Sequence, residues 1–250
     1  MLSLVYGKNV GQRLMESKRT IHKIYITAKN FESELGDKIR QQKLPYEIVD
    51  NKFLDRLCEL ANHQGIALEV EEYQTCSLDE LLASVPENEL GLLIMLDGVV
   101  DPHNLGAILR NCDGAKAHGV IIGKHHRAPL NATVAKVSSG AIETVKVAEV
   151  SNLNQSIKTL KDQGYWIAGC EAKGENLYDF KFDTPLVLVI GSESKGISVL
   201  VKKNCDYFVS IPLAGQVNSL NAAVASGIIM YQVLRQRSLL KAKDGGYDSI

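Results

Sequence analysis

The sequence predicts an α/β protein in two parts, a small α/β unit followed by a larger one built on a mainly parallel sheet. Three observations predict it. LLIML (92–96), GVIIG (119–123) and LVLVI (186–190) are short continuous apolar blocks, the pattern of strands buried on both faces. Segments with helical spacing lie between them at 103–117, 131–138 and 151–163, and strands alternating with helices build parallel sheets. Upstream, residues 5–75 carry a shorter alternation of their own, set apart by a polar, acidic stretch at 76–90 that contains Pro86.

In chain order, VYGKNVGQRLMES sets apolar residues near helical spacing after Gly7. KIYITA (23–28) alternates and is β-branched, which predicts a strand, and YEIVD (46–50) predicts a second. Asn51 is placed to cap a helix through FLDRLCELA. HQGIALEVEEY (63–73) opens on a glycine turn and ends in a strand. Residues 76–90 read as a linker with one short helical stretch, LDELLASV. Beyond the three apolar blocks, YWIAGCE (165–171) adds a strand, and another short strand ends at Pro212. SLNAAVASGIIMYQVLRQR (219–237) predicts a long helix with an apolar stripe. The expected boundaries are therefore 1–75 for the small domain, 76–90 for the linker, 91–237 for the large domain and 238–250 for a flexible tail.

Composition narrows the function classes. Hydrophobic residues make up 45% and charged residues 23% of the chain, as in ordinary globular proteins. No apolar run approaches the ~18–20 residues that span a bilayer, and Lys8 and Arg13 interrupt the N-terminus too early for a signal-peptide core. The five cysteines, Cys58, Cys76, Cys112, Cys170 and Cys205, are widely spaced and form no CxxC pair. That argues for a reducing, cytoplasmic setting and against a zinc site. His125 and His126 read as surface residues, so no metal is expected. The net charge of −1 is unevenly spread: residues 1–29 carry six basic side chains against one acid, and 30–96 carry five against fourteen. A basic N-terminal patch could face phosphates, or be an ordinary solvated helix face.

Three Gly- and Asn-rich segments follow buried strands, where ligands of open α/β sheets collect. In LDGVVDPHNLGAILR (96–110), Asp101-Pro102 breaks the strand and opens a helix. Asn104 and Arg110 lie six apart and share a direction only if Asn104 precedes that helix. Alone, they read as a cap and a surface cation. IGSESKGIS (190–198) is a strand-to-helix glycine turn that matches neither GxxxxGK[ST] nor GxGxxG; Glu193 could cap a helix or enter a site. IPLAGQVNSLNAAVA (211–225) brings Ser219 as an N-cap, with Asn218 and Asn221 suggesting polar contacts.

Together, LDGVxDPxNLGAIxR, IGSExKGIS and IPLxGxVxSLNxAxA, in this order, resemble the SpoU (TrmH) family of the SPOUT class. YGKNV and HQGI resemble its longer members, which carry a substrate-recognition domain. The resemblance spans roughly residues 3–237 and implies a C-terminal trefoil knot, an exception to the rule against threaded chains. It implies S-adenosylmethionine as cofactor, beside Gly191, Ile211, Leu213, Asn218 and Leu220. It implies catalytic positions at Arg110, Asn104, Glu193, Ser219 and Asn221. The implied reaction moves a methyl group from sulfonium to a ribose 2′-hydroxyl of RNA, with a guanosine of 23S rRNA as target. A guanidinium is an awkward base, so Arg110 is expected to orient phosphate and hydroxyl and to steady negative charge. Lys8, Arg13, Lys18 and Arg19 are expected to meet RNA, with Lys124 and Arg127 as a second contact. The resemblance also implies a homodimer, with helix 219–237 at its interface. Two positions depart from the family pattern: Ser194 stands where glycine is common, and Ala223 where serine is common. A tRNA target and a catalytically silent assembly factor are the competing readings. A nicotinamide oxidoreductase is disfavoured by the missing GxGxxG.

Overall fold

The computed structural model describes residues 2–243. They divide into two compact units, one made of the chain up to Gln74 together with Pro129–Thr144, the other of Thr75–Ala128 and the chain from Val145 onward.

The first unit begins with β1 (Leu2–Tyr6), α1 (Lys8–Glu16), β2 (Ile21–Ile26), α2 (Ala28–Phe31), α3 (Glu34–Gln41), β3 (Tyr46–Ile48), α4 (Asn51–Leu57) and β4 (Ile66–Glu71). Its sheet runs β1-β4-β2-β3, with β4 antiparallel to both neighbours and β3 parallel to β2. Val5 and Ile24 both pair with Leu68, and all three are buried. α1 follows Gly7, whose φ of 110° only glycine adopts freely, and buries Val10 and Leu14 at i, i+4 spacing. Asp50 rather than Asn51 caps α4, its carboxylate accepting from the Phe53 N–H. Asn51 is the first helical residue.

The second unit opens with α5 (Leu78–Leu82), β5 (Leu92–Asp97), α6 (Pro102–Gly114) and β6 (Gly119–Gly123). The expected linker is therefore structured. Ser77 and Glu80 form a reciprocal capping box, Cys76 bridges Ala148 in strand fashion, and Leu81 is buried with Leu93, Met95 and Ile121. An apolar residue recurring beside a capping box outweighs the acidic composition. The chain then returns to the first unit. α7 (Ala132–Val137) packs on β1, and Glu143 of the short turn Ala141–Glu143 pairs with Arg19. The expected continuous large domain is thus interrupted.

The second unit resumes with β7 (Val147–Val150), α8 (Leu153–Asp162), β8 (Trp166–Asn176), β9 (Leu186–Gly191), α9 (Val199–Asn204), β10 (Tyr207–Ser210) and α10 (Ala222–Lys243). Its sheet order is β10-β8-β9-β5-β6-β7, and every pairing is parallel. β5 and β9, neighbours far apart in sequence, are buried nearly throughout, as strands covered on both faces must be. α10 lies on α6 through Cys112 against Met230 and an Asn111 amide donated to the Ala223 carbonyl at 2.8 Å. Near its end, Arg237 donates to the carbonyls of Leu90, Gly91, Phe182 and Thr184. Burial pushes this guanidinium down to about 10. α10 continues to Lys243, so 238–243 of the expected tail is helix; the rest of that tail lies outside the described residues. Among the described residues, no helix is long and apolar enough to cross a membrane.

Candidate active site

Three loops leave the carboxyl ends of β5, β9 and β10, where the strand order reverses about the β5–β9 pair. A crevice forms at such a point by topology alone. Asp97, at the end of β5, accepts the Ser198 N–H at 2.7 Å and ties the first loop to the second. The second loop closes on itself through paired backbone bonds between Ser192 and Gly196. A Cβ on Gly191 would stand 2.2 Å from the Gly196 carbonyl carbon, so only glycine permits this closure. Ser194 lies in the same loop without a left-handed φ, and the geometry there does not demand glycine.

The loops meet in a small polar network. The Asn104 amide donates to Glu193 Oε1 at 2.9 Å. The Asn221 amide donates to Asn104 Oδ1 and to Glu193 Oε1, both at 2.8 Å. Asn221 Oδ1 also accepts the N–H groups of Ala223 and Val224. Asn221, not Ser219, is therefore the cap of α10; the chain is not yet helical at Ser219. Asn104 lies inside α6 and is buried. The backbone of Ala223 does the structural work at its position, donating its N–H to Asn221 and accepting from Asn111 and Ser226. The missing hydroxyl leaves those bonds untouched.

Beside the network is a cavity of about 530 Å³. Gly191, Ile211, Leu213, Asn218, Ser219 and Leu220 all line it, as do Glu193 and Asn221. Arg110 does not line it. Asn104 does not precede α6 but sits within it, so Arg110, six residues on, faces elsewhere and is exposed. Sequence reasoning missed Cys170, Glu171, Ala172 and Lys173, which form another wall. Their signal was the polar run EAKGEN directly after the apolar part of β8. Glu171 is held by Lys202 at 2.6 Å. Burial pushes the Cys170 thiol far up, and it stays neutral. Among the described residues, no group of three or more His, Cys, Asp or Glu side chains is placed to hold a metal ion.

The basic residues assigned to RNA separate into two kinds. Lys8, Lys18 and Lys124 are exposed, and Arg13 is half-buried. Arg19 is not available in this way. It donates to Glu143 and to the Glu71 carbonyl, both at 2.6 Å, with its side chain 11% exposed. Arg127 is likewise turned inward, bonded to Glu149 and to the Ala128 carbonyl. A short positively charged stretch does not reveal which of its members has an internal carboxylate waiting far along the chain.

The SpoU rRNA Methylase family model matches residues 91–231, and a model for RNA 2′-O ribose methyltransferase substrate binding matches residues 4–76. A TrmH family protein of Staphylococcus haemolyticus is 42% identical over 239 residues, covering 94% of this chain and 96% of the relative. The 23S rRNA (guanosine-2′-O-)-methyltransferase RlmB of Pectobacterium atrosepticum is 38% identical over 242 residues, with 95% and 99% covered. Among solved structures, the SpoU methyltransferase AviRb of Streptomyces viridochromogenes, in complex with the cofactor AdoMet, superposes with a TM-score of 0.80. It has 25% identity and covers 94% of this chain and 90% of that one.

Proposed function

The chain belongs to the SpoU rRNA methylase family, and on that premise we propose that it transfers a methyl group from S-adenosylmethionine to a ribose 2′-hydroxyl of RNA, a guanosine of 23S rRNA. The observation that carries this reading is the bonding of Asn104 in α6, Glu193 in the loop after β9 and Asn221 at the start of α10, beside one cavity.

The cavity fits the methyl donor. At about 530 Å³ it is within the range of ~300–1,000 Å³ that holds molecules of this size. Ile211, Leu213 and Leu220 supply the apolar slot that adenine needs, and Gly191 lets backbone approach closely. When bound, the donor supplies an electrophilic methyl carbon on sulfonium. The residues supply alignment and charge. Glu193 Oε1 takes two amide donors, which fixes the carboxylate plane. Its Oε2 has no hydrogen bond among the described residues, and it is the natural acceptor for the proton of the attacking hydroxyl. Asn218 and Ser219 offer further polar groups at the cavity wall. Arg110, exposed on α6 and turned away from this cavity, is assigned to the RNA, where it holds a phosphate.

The family resemblance also supports a knotted C-terminal path, a cytoplasmic setting and a homodimer. For the dimer there is a physical argument as well. Val224, Tyr231 and Leu239 recur on one side of α10 and remain 51–52% exposed, an apolar stripe suited to a second copy. A monomer in sedimentation equilibrium would overturn that part.

The decisive experiment incubates the full chain with labelled S-adenosylmethionine and either ribosomal or transfer RNA, then maps ribose methylation. Label in 23S rRNA at a 2′-oxygen is expected. Label confined to tRNA moves the substrate, and no transfer to either, despite donor binding, makes the protein a silent RNA-binding factor.

A further inference from the structure

The first unit holds a second hollow, of about 460 Å³, that shares no lining residue with the cavity of the second unit. It is built around the HQGI segment and lined by side chains of an unusual mixture. Asn30, Asn62 and Gln64 bring amides, Lys8 and Lys29 bring exposed cations, and Leu60 brings an apolar group. Its acid is Asp55, which is already engaged: His63 accepts the Gly65 N–H at Nδ1, so Nε2 carries the proton and donates to Asp55 at 3.0 Å. The wall is firm. The Asn30 amide donates to the Gln64 carbonyl at 2.8 Å, and Gln64 Oε1 accepts from the Lys8 N–H and from Lys136. Leu60 is 83% exposed and stands at a φ of 61°, a conformation that disfavours a branched side chain. The left-handed pair Glu59 and Leu60 ends α4, the Leu60 N–H donating to the Asp55 carbonyl at 2.7 Å, and it leaves the Leu60 side chain standing in water at the rim of the hollow.

We propose that this hollow binds one unpaired nucleotide of the substrate RNA, distinct from the nucleotide that is methylated. The inference rests on the reading of the chain as an RNA methyltransferase. Amides carry both donors and acceptors and match a base edge, an apolar side chain packs against a base face, and ammonium groups meet the flanking phosphates. In a paired stem both edge and face are consumed, so only a bulged or looped nucleotide can enter. The hollow lies within residues 4–76, the part of the chain that matches the substrate-binding family.

The test measures binding of the full chain to two fluorescent RNA hairpins, identical except that one carries a single-nucleotide bulge. S-adenosylmethionine binding is titrated in parallel by calorimetry. The wild type is expected to prefer the bulged hairpin by about tenfold, and Leu60→Gly or Asn62→Ala to erase most of that preference. Neither change should alter the weaker binding of the paired hairpin. Lys29→Gln should weaken both and lower the salt slope by about one. Leu60→Gly relieves a left-handed backbone at an exposed position, so unfolding cannot explain a loss; an unchanged or raised melting temperature will accompany it. Equal affinity for the two hairpins, or full preference in Leu60→Gly, overturns the proposal. If the preference vanishes while the donor still binds, only this site falls. If the donor fails to bind while the preference persists, the methyltransferase reading falls instead.

Discussion

Asn221 has two roles that one substitution removes together and another separates. Its Oδ1 caps α10, and its amide joins Asn104 to Glu193. Asn221→Ala loses the cap, worth about 1 kcal/mol. It also loses one neutral bond and one bond to a carboxylate, together about 2–4 kcal/mol when buried. Asn221 is exposed, so water replaces much of the second term, and a net loss of about 2 kcal/mol is expected. For a unit of this size the melting temperature should fall by roughly 4–8 °C. Asn221→Ser keeps an N-cap oxygen and should lose only about 1 kcal/mol. Methyl transfer should suffer equally in both. With one of its two amide donors gone, Glu193 is free to rotate, and kcat should fall about 100-fold, the scale of a lost positioning bond. Calorimetric melting and single-turnover transfer measure the two effects on the same samples. A serine variant with full activity would refute the role given to the network. An alanine variant as stable as wild type would refute the cap.

Three further outcomes follow from neighbouring geometry. Gly191→Ala should abolish S-adenosylmethionine binding in calorimetry, because its Cβ would overlap the Gly196 carbonyl carbon at 2.2 Å; retained binding would mean that the loop can move aside. Arg237→Ala should destabilise the second unit by about 3 kcal/mol, because it strips donors from four carbonyls. Lysine should recover only part of this, since an ammonium lacks the fork; complete rescue by lysine in urea melts would contradict that geometry. Burial raises the Glu143 carboxyl, against the pull of Arg19. The native state therefore holds more protons than the unfolded chain between the ordinary and the raised value, and stability contributed here falls as pH rises through that window. The stability difference between wild type and Glu143→Gln, followed over about pH 4 to 7, should decline with that sign; the opposite slope would sink it.

Much of the second unit was legible because its strands are continuous apolar blocks and its helices begin at recognisable polar residues. β5, β6 and β9 fall where LLIML, GVIIG and LVLVI put them. The three segments were legible as a set, and Gly191, Ile211, Leu213, Asn218 and Leu220 from two of them line one cavity. What escaped depended on distant partners. Leu81 finds its place only once Gly119 leaves room for it, and composition alone made its surroundings a linker. Arg19 looked like any cation of a basic stretch until Glu143, 124 residues away, claimed it. Arg110 could be aimed only after the start of α6 was known, and Pro102 at its first turn puts Asn104 inside the helix. α2 and α3 lay in a stretch whose short apolar spacing gave no clear period.

The return of Pro129–Thr144 to the first unit constrains how the molecule can be made. During synthesis the amino-terminal unit stays incomplete until residue 144 has left the ribosome, by which time β5 and β6 have already emerged. β1 lacks α7 and Arg19 lacks its carboxylate throughout that interval. A gene fragment ending near residue 75 would encode the same unfinished state permanently, which makes this module a poor cassette for transplantation unless the later segment travels with it.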